Sequence, residues 1–255
     1  MTDQKRKAEQ FRSLHVPGRP LILFNIWDAG GAKAVASGGA KAIATGSWSV
    51  ANANGFADGE LLPLRLAIDN LRRIVDATEL PVTVDLESGY GGLPEVVAET
   101  IGLAIDTKAV GCNLEDSFPG NGRLRETADQ AARIRRARQA ADATNVSFFI
   151  NARTDVFFQR PPEHHNDAMV ADAIERARAY VDAGADGIFA PCLVDISLIA
   201  RLAKESPLPL NIMIGDATPP VAVLAQHGVA RVSYGPRPYL IAMRALEEAA
   251  RAAQE

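Results

Sequence analysis

Short apolar runs recur along the whole chain, and a longer stretch with helical periodicity separates each run from the next. The runs are apolar at consecutive positions, which is typical of parallel strands covered by helices on both sides. They therefore predict buried strands of a parallel sheet. The predicted strands are residues 21–25, 42–46, 82–86, 111–115, 147–152, 187–191, 210–214 and 231–234.

The intervening stretches place apolar residues three and four positions apart, which predicts amphipathic helices. Several of these stretches end near a glycine, a residue that commonly follows the last turn of a helix. A further helical pattern precedes the first strand. The predicted helices cover residues 3–15, 61–78, 93–107, 128–143, 167–183, 196–205, 220–227 and 238–253.

Strands and helices alternate eight times within 255 residues. This number of units and this length match a (β/α)8 barrel, which typically takes about 250 residues. We therefore predict an α/β fold, a single (β/α)8 TIM barrel over residues 1–255 with a short leading N-terminal helix. A doubly wound open sheet is the alternative, but no GxGxxG motif follows the first predicted strand.

Composition narrows the class of partner and the compartment. The net charge is −4 and no basic stripe stands out, so we expect no nucleic-acid partner. No apolar run approaches the roughly 20 residues of a membrane span, and no apolar segment of a secretory signal follows the N-terminus. We therefore expect no membrane partner and a cytoplasmic location. Cys112 and Cys192 lack metal-binding spacing and are expected to be reduced thiols.

Polar side chains concentrate where the predicted strands end. Asp85 and Glu87 close the third strand, Glu115 closes the fourth, Arg153 follows the fifth and Asn211 lies in the seventh. Active sites of barrels lie at the C-terminal ends of the strands. The sequence therefore predicts an active site built from these ends.

Three carboxylates are the candidate metal ligands. Asp85 and Glu87 are two residues apart and point the same way from one strand end, and Glu115 ends the next strand. Converging carboxylates repel one another unless a cation lies among them, and hard oxygen ligands suit Mg²⁺ or Mn²⁺. Helix capping and surface ion pairing are the alternative roles for the same residues.

Arg153 and the segment around Ser47 are the candidate substrate contacts. The planar guanidinium of Arg153 suits a substrate carboxylate, although a structural ion pair with Glu115 or Asp155 is equally compatible with the sequence. The segment Thr45-Gly-Ser-Trp-Ser49 predicts a tight turn whose Ser47 and Trp48 N–H groups point at a developing oxyanion. An ordinary turn is the alternative.

Two Gly-rich segments complete the candidate site. The first, residues 52–59, brings Asp58 over the barrel mouth, unless Asp58 instead caps a helix that begins near Gly59. The second, residues 118–124, directly follows the Glu115 strand and contains Pro119 and Asn121. Its composition is typical of a mobile lid, and an inert surface loop is the alternative.

These motifs, in this order, resemble the isocitrate lyase / phosphoenolpyruvate mutase superfamily over nearly the whole chain. The resemblance implies a (β/α)8 barrel whose last helix is often exchanged between subunits, in a homodimer or homotetramer. It implies a Mg²⁺ cofactor and a small oxo or hydroxy acid as substrate. The motifs are Asn25-Ile-Trp-Asp28, Thr45-Gly-Ser, Asp58, Asp85-Leu-Glu-Ser-Gly-Tyr-Gly-Gly92, Leu114-Glu-Asp116, Ile150-Asn-Ala-Arg-Thr-Asp155 and Val232-Ser-Tyr-Gly235.

The resemblance also implies a role for each matching residue. Glu87 departs from the superfamily, in which Asp is usual. Asn121 is similar, at a shifted position, to an Asn of the mutase loop. The implied catalytic residues are Asp58, Ser47, Trp48, Arg153 and Asn121; the expected substrate-binding residues are Ser47, Trp48, Arg153 and Asn211; and the implied metal ligands are Asp85, Glu87 and Glu115.

The loop after Glu115 is where this chain departs from the superfamily. It reads Ser117-Phe-Pro-Gly-Asn-Gly-Arg123, without the Lys-Lys-Cys-Gly-His of the isocitrate lyases or the Lys of the mutase. We predict a Mg²⁺-dependent lyase that cleaves a C–C bond of a small 2-oxo or 2-hydroxy acid through an enolate. The alternatives are C–P chemistry with Arg123 as the cationic group, a non-catalytic oxo-acid binder, and an unrelated barrel with an acidic rim.

Overall fold

The computed structural model of the chain describes residues 2–254, and it confirms the predicted (β/α)8 barrel. Eight parallel strands form one sheet, and helices cover its outer face. The strands are shorter than predicted by one to three residues, apart from β4. They are β1 (Leu21–Leu23), β2 (Ile43–Ala44), β3 (Val82–Asp85), β4 (Gly111–Glu115), β5 (Phe149–Arg153), β6 (Gly187–Ala190), β7 (Leu210–Met213) and β8 (Arg231–Ser233).

The strand order closes the sheet into a barrel. The strands follow the order β1-β8-β7-β6-β5-β4-β3-β2, and every described pair is parallel. A parallel bridge between Ile26 and Thr45 joins the two ends of this sheet just beyond β1 and β2. Because the strands are parallel around a closed barrel, all their C-terminal ends meet on one face.

The helices follow the predicted pattern with three additions, which are α2 between β1 and β2 and two elements near the site. A short helix starts at Ser47, where we predicted a tight turn, and 3-10 turns follow β5. The helices are α1 (Asp3–Ser13), α2 (Ala29–Ser37), α3 (Ser47–Ala53), α4 (Leu64–Asp76), α5 (Pro94–Asp106), α6 (Thr127–Asp142), α7 (Asp167–Asp182), α8 (Ile196–Glu205), α9 (Val221–Gln226) and α10 (Arg237–Ala252).

Helix α1 is the predicted leading helix and packs beside β5. The Thr2 side chain caps it by accepting a hydrogen bond from the Lys5 N–H. Phe11 is fully buried and meets Phe149 of β5 edge to face, with ring centroids 5.6 Å apart. His15 stacks on the same Phe149 ring at 4.0 Å. This aromatic contact joins the leading segment to the barrel.

A buried charged network fixes the side of the barrel next to β4. Asp116 directly follows that strand and is fully buried. Its carboxylate accepts hydrogen bonds from the Asp155 N–H (2.8 Å), Arg176 Nη1 (3.1 Å) and the Tyr180 hydroxyl (2.8 Å). Arg176 and Tyr180 lie on α7, so the network ties this helix to the ends of β4 and β5.

Helix α10 leaves its apolar face largely uncovered. Tyr239, Ala242, Met243 and Leu246 are spaced three and four residues apart and so share one face. Leu246 is nevertheless 63% exposed, and Pro238 is the only buried residue of the helix. Beside β1 an open groove of about 660 Å³ is lined by Ile22, Phe24, Val35 and neighbouring residues.

Across residues 2–254, none of the helices combines the length and the apolar character that crossing a membrane requires.

The Asp116 network predicts a large loss of stability when Arg176 is replaced. Arg176→Met leaves a buried carboxylate without its cation, which should lower the free energy of unfolding by about 3 kcal/mol in urea titrations. Arg201 forms a more exposed ion pair with Asp167, so Arg201→Met is the matched control and should change stability much less. Equal effects of the two substitutions would contradict a structural role for the Asp116 network.

Candidate active site

A cavity of about 640 Å³ opens at the face where the C-terminal ends of the strands meet. Its walls come from the strand ends and from the segments that follow β2, β4 and β5. Of the nine site residues predicted from the sequence, eight line this cavity. They are Ser47, Trp48, Asp58, Asp85, Glu87, Glu115, Asn121 and Arg153.

Asp85 ends β3 and is held by the segment after β2. Its backbone N–H donates to Thr45 Oγ1 (2.9 Å), and its Oδ2 accepts from the Ser47 N–H (3.2 Å). One hydrogen bond thus holds the Asp85 backbone and the other holds its carboxylate, and the segment after β2 provides both partners.

The predicted turn at Ser47 is the first turn of helix α3, with Gly46 as its N-cap. The Ser47 N–H donates to Asp85, so the prediction that it points at a substrate oxyanion does not match this structure. The Trp48 N–H also lies in the first turn, where backbone donors have no partner within the helix. A substrate oxygen would find its donor at Trp48 more readily than at Ser47.

Glu87 is bonded to the segment that carries Asp58. Its Oε2 accepts hydrogen bonds from the Gly59 N–H (2.8 Å) and the Glu60 N–H (2.6 Å). Its own φ is 52°, in the left-handed region, which directs the chain out of the strand. The extra methylene of Glu relative to Asp helps the carboxylate reach these backbone groups.

The environment of Glu87 disfavours its charged form. Burial, together with the negative charges of Asp58 and Asp85, raises the pKa of Glu87 to about 7. The two backbone N–H donors oppose this rise but do not cancel it. The surroundings of Glu87 therefore do not supply enough positive charge to stabilise its carboxylate form.

Glu115 and Arg153 form an ion pair at the ends of β4 and β5. Arg153 Nη1 lies 2.7 Å from Glu115 Oε2, and Arg153 Nε lies 2.6 Å from Asp155 Oδ1. Ser117 Oγ lies 2.6 Å from Asp155 Oδ2 and 3.1 Å from Glu115 Oε1, so its single proton is positioned between the two acidic groups. Burial still raises the pKa of the Glu115 carboxyl, although Arg153 opposes that rise.

The structure shows the ion-pair role that the sequence left open for Arg153. Its guanidinium lines the cavity but is shared between Glu115 and Asp155. A substrate carboxylate would have to compete with these two acceptors. Contact between Arg153 and substrate therefore stays a prediction.

Asp58 lies at the rim of the cavity and does not cap a helix, because α4 begins at Leu64 after Pro63. Its side chain remains accessible to solvent. Partial desolvation and the negative charge of Asp85 raise its pKa above the usual range. A carboxyl group with a raised pKa at a cavity rim is suited to proton transfer.

The Gly-rich loop after β4 covers one side of the cavity. Phe118, Gly120 and Asn121 line it, and the Asn121 side chain accepts a hydrogen bond from the Arg123 N–H (3.0 Å). Gln159 Nε2 donates to the Gly122 carbonyl (3.0 Å), so a single side chain links the loop to the segment after β5.

Asn211 is the one predicted site residue that does not line the cavity. It is 1% exposed, and its Nδ2 donates to Ser233 Oγ (3.1 Å) within the barrel interior. A role in substrate binding therefore has no support from its position. Asn211 is the second residue of β7, and the end of this strand that reaches the cavity is Met213.

The sequence analysis missed Asn113, Ser117 and Asp155, which also line the cavity. Asn113 could have been found, because it precedes Glu115 by two positions in an otherwise apolar strand and thus points to the same face. The sequence named Asp155 only as a possible ion-pair partner of Arg153, and the role of Ser117 depends on contacts between two strand ends, for which there is no comparable signal.

The donor set of the cavity fits a hard divalent cation. Five carboxylates line it together with one cationic side chain, Arg153; they are Asp58, Asp85, Glu87, Glu115 and Asp155. Among residues 2–254, however, no group of three or more potential ligands lies close enough together to hold a metal ion directly. Asp85, Glu87 and Glu115 therefore do not form the preassembled direct ligand set that we expected. Mg²⁺ commonly retains water ligands and uses only one or two carboxylates, so it remains compatible with this arrangement.

Comparison with known proteins shows a family match over residues 11–254, to the model for phosphoenolpyruvate phosphomutase. A crystal structure from Burkholderia cenocepacia J2315, provisionally named a phosphonomutase, is 56% identical to this chain. The alignment covers 98% of this chain and 99% of that one, with a TM-score of 0.96.

Two sequence relatives extend the comparison. An uncharacterized protein of Mycobacterium tuberculosis is 35% identical over 96% of this chain and 89% of its own length. The 2-methylisocitrate lyase of Salmonella typhimurium is 31% identical over 66% of this chain and 57% of its own length.

The raised pKa of Glu87 predicts how the metal-free protein responds to pH. Between about pH 4.5 and 7 the folded state keeps a proton on Glu87 that the unfolded state has lost, so stability falls as the pH rises. From pH 5.5 to 8, with a chelator present, this residue should lower the free energy of unfolding by about 2 kcal/mol.

Glu87→Gln removes this titrating group while one oxygen remains to accept the two backbone hydrogen bonds. Urea unfolding at both pH values should therefore show a weaker pH dependence in the variant than in the wild-type protein. The same pH dependence in both proteins would contradict the raised pKa.

Proposed function

The chain belongs to the phosphoenolpyruvate phosphomutase family, and we propose that it is a Mg²⁺-dependent lyase that cleaves a C–C bond of a small 2-oxo or 2-hydroxy carboxylic acid. The observation that carries this proposal is the cavity at the barrel mouth, where five carboxylates face a single arginine. Its charge matches a divalent cation together with an anionic substrate. The match to a 2-methylisocitrate lyase supports C–C cleavage.

Asp85, Glu87 and Glu115 would hold the cation in this proposal. Mg²⁺, when bound, supplies Lewis-acid stabilisation of the negative charge that develops on a substrate oxygen during enolate formation. Glu115 and Arg153 neutralise one another in the metal-free protein. Once Glu115 takes part in cation binding, one edge of the Arg153 guanidinium is free to bind the substrate carboxylate.

The remaining residues orient the substrate and move its proton. The Trp48 N–H at the start of α3 donates to the oxygen on which charge develops. Asp58 has a raised pKa at the cavity rim and moves a proton or positions water. Asn121 and its loop cover the cavity and limit the access of solvent to the reacting carbon.

Cleavage of a C–P bond is the second candidate function. The 56% identical structure that is provisionally named a phosphonomutase favours it. A phosphonate needs a cationic partner, and Arg123 in the loop over the cavity is the candidate. Arg123→Ala would then abolish phosphonate turnover and leave C–C cleavage in place.

We also propose that α10 packs on a second copy of this chain in a homodimer or a homotetramer. Leu246 on its apolar face is 63% exposed, while the groove beside β1 exposes Ile22 and Phe24 at 38% and 36%. The face of α10 and the groove beside β1 match one another, because both are apolar and both are exposed to solvent in the single chain. Exchange of α10 between copies would bury both surfaces.

The proposed reaction is tested by following a mixed substrate panel with proton and phosphorus NMR. Oxaloacetate, isocitrate, 2-methylisocitrate, an alkyl malate and phosphonopyruvate are incubated with the protein and Mg²⁺. We expect one C–C substrate to be consumed and a chelator to stop its turnover. Consumption of phosphonopyruvate alone would establish the second candidate function instead.

The metal assignment is tested with Glu115→Gln, which should lower Mg²⁺-dependent turnover at least about a hundredfold with the fold intact. Glu248→Gln, an exposed change on α10, is the matched control and should leave turnover unchanged. Full Mg²⁺-dependent activity in Glu115→Gln would disprove this assignment.

The proposed helix exchange is tested by light scattering coupled to size-exclusion chromatography. Leu246→Glu places a charge on the apolar face of α10 and should shift the protein to a smaller assembly. Arg244→Glu changes charge on the opposite side of the same helix and should leave the assembly intact. A wild-type monomer would contradict the proposal directly.

A further inference from the structure

Arg231 lies in the interior of the barrel, beneath the cavity. It is the first residue of β8 and is 1% exposed. Its Nη2 donates to Asn113 Oδ1 at 3.1 Å. Asn113 is on β4, and β4 and β8 are opposite one another in the strand order of the barrel. The Arg231 side chain therefore crosses the barrel interior.

Few groups around the Arg231 guanidinium offset the cost of burying its charge. Its Nε and Nη1 are buried and have no hydrogen-bond partner in the described part of the chain. Burial lowers the pKa of Arg231 to about 9, and the side chain remains charged at neutral pH. A buried cation without an ion-pair partner destabilises the fold, so packing alone does not account for it.

Arg231 fixes the orientation of the Asn113 amide. A guanidinium carries only N–H donors, so the group facing it must be the amide oxygen. Asn151 Nδ2 donates to the same Oδ1 at 2.9 Å. With both donors on the oxygen, the Asn113 Nδ2 group points away from them. Asn113 lines the cavity, and within residues 2–254 its Nδ2 donates to no protein acceptor.

We propose that Arg231 is a positioning residue: it holds Asn113 so that the Nδ2 group faces the cavity as a hydrogen-bond donor for an anionic substrate oxygen. A cation bound to the amide oxygen also polarises the amide and strengthens the donor on its other side. The floor of the cavity thus presents a hydrogen-bond donor backed by a buried cation, although acidic residues line its walls. The ligand class is a carboxylate or an enolate-like oxygen.

This inference rests on the proposed function, because it assigns a contact for the same substrate. Oxalate is a suitable probe, since it is a small, stable dianion that resembles the enolate of a 2-oxo acid. Binding of oxalate in the presence of Mg²⁺, measured by isothermal titration calorimetry, reports on the contact without requiring turnover.

The first test removes the donor. Asn113→Ala and Asn113→Asp should each weaken oxalate binding at least about tenfold, which is the usual effect of losing a hydrogen bond to a charged group. Asn113→Asp keeps an acceptor for Arg231 and Asn151, so it guards against loss of folding. If the affinity for oxalate falls in Asn113→Asp but not in a correctly folded Asn113→Ala, the fall reflects charge repulsion alone. That result would overturn the inference.

The second test separates positioning from folding. Replacement of a buried, weakly paired charge by an apolar side chain of similar size is often neutral or stabilising. The Arg231→Met variant should therefore unfold at about the same urea concentration as the wild-type protein. It should bind oxalate roughly fivefold more weakly. Arg231→Lys keeps a donor-only cation and should restore most of the affinity. Wild-type affinity in Arg231→Met would overturn the positioning role.

The two proposals fail in different ways. Oxalate binding by the wild-type protein and its loss in these variants, without turnover of any panel compound, would reject the lyase and retain the inference. Turnover with unchanged oxalate affinity in all Asn113 variants would reject the inference and retain the lyase. Absence of oxalate binding by the wild-type protein would overturn the inference, whatever the turnover result.

Discussion

An excess of negative charge at the mouth of the barrel governs the rest of the site. Five carboxylates share one cavity with a single arginine, and that arginine already binds two of them, Glu115 and Asp155. Because burial and mutual repulsion disfavour their charged forms, the pKa values of Asp58, Glu87 and Glu115 all lie above the usual range. Such an arrangement is unfavourable in the empty protein and becomes favourable when a cation binds.

The barrel makes this concentration of charge possible, because each carboxylate is fixed by a different element. Asp85 is held by the start of α3, Glu87 by the backbone of the Asp58 segment, and Glu115 by Arg153 on the next strand. A cooperative fold of this size can retain a locally unfavourable group when the surrounding contacts are strong. Arg231, beneath the cavity, adds a second positive charge, which is fully buried.

The cavity and the uncovered helix α10 are neighbours in space. Tyr239, near the start of α10, contacts Trp27 and Trp48, with ring centroids 5.0 Å and 5.8 Å apart. Trp48 lines the cavity. A partner that orders α10 would therefore also order one wall of the site, which connects assembly to substrate binding through a single aromatic cluster.

The sequence by itself determined the barrel, its leading helix and eight of the residues that line the cavity. Apolar periodicity and strand-end chemistry are local properties, so they can be read from neighbours along the chain. The start of α3 was missed because Gly46-Ser-Trp favours a turn as readily as a helix N-terminus. Asn211 was assigned to the site although it lies at the second position of β7, two residues before the strand end that lines the cavity.

Only the tertiary structure decided which groups face one another. That Arg153 binds Glu115, that Glu87 reaches the backbone of Gly59, and that Arg231 meets Asn113 all depend on contacts between residues far apart in sequence. Glu87 and Gly59 are 28 positions apart, and Arg231 and Asn113 are 118 apart. Strand register and barrel closure set these distances, and neither is encoded in the residues that immediately flank the groups.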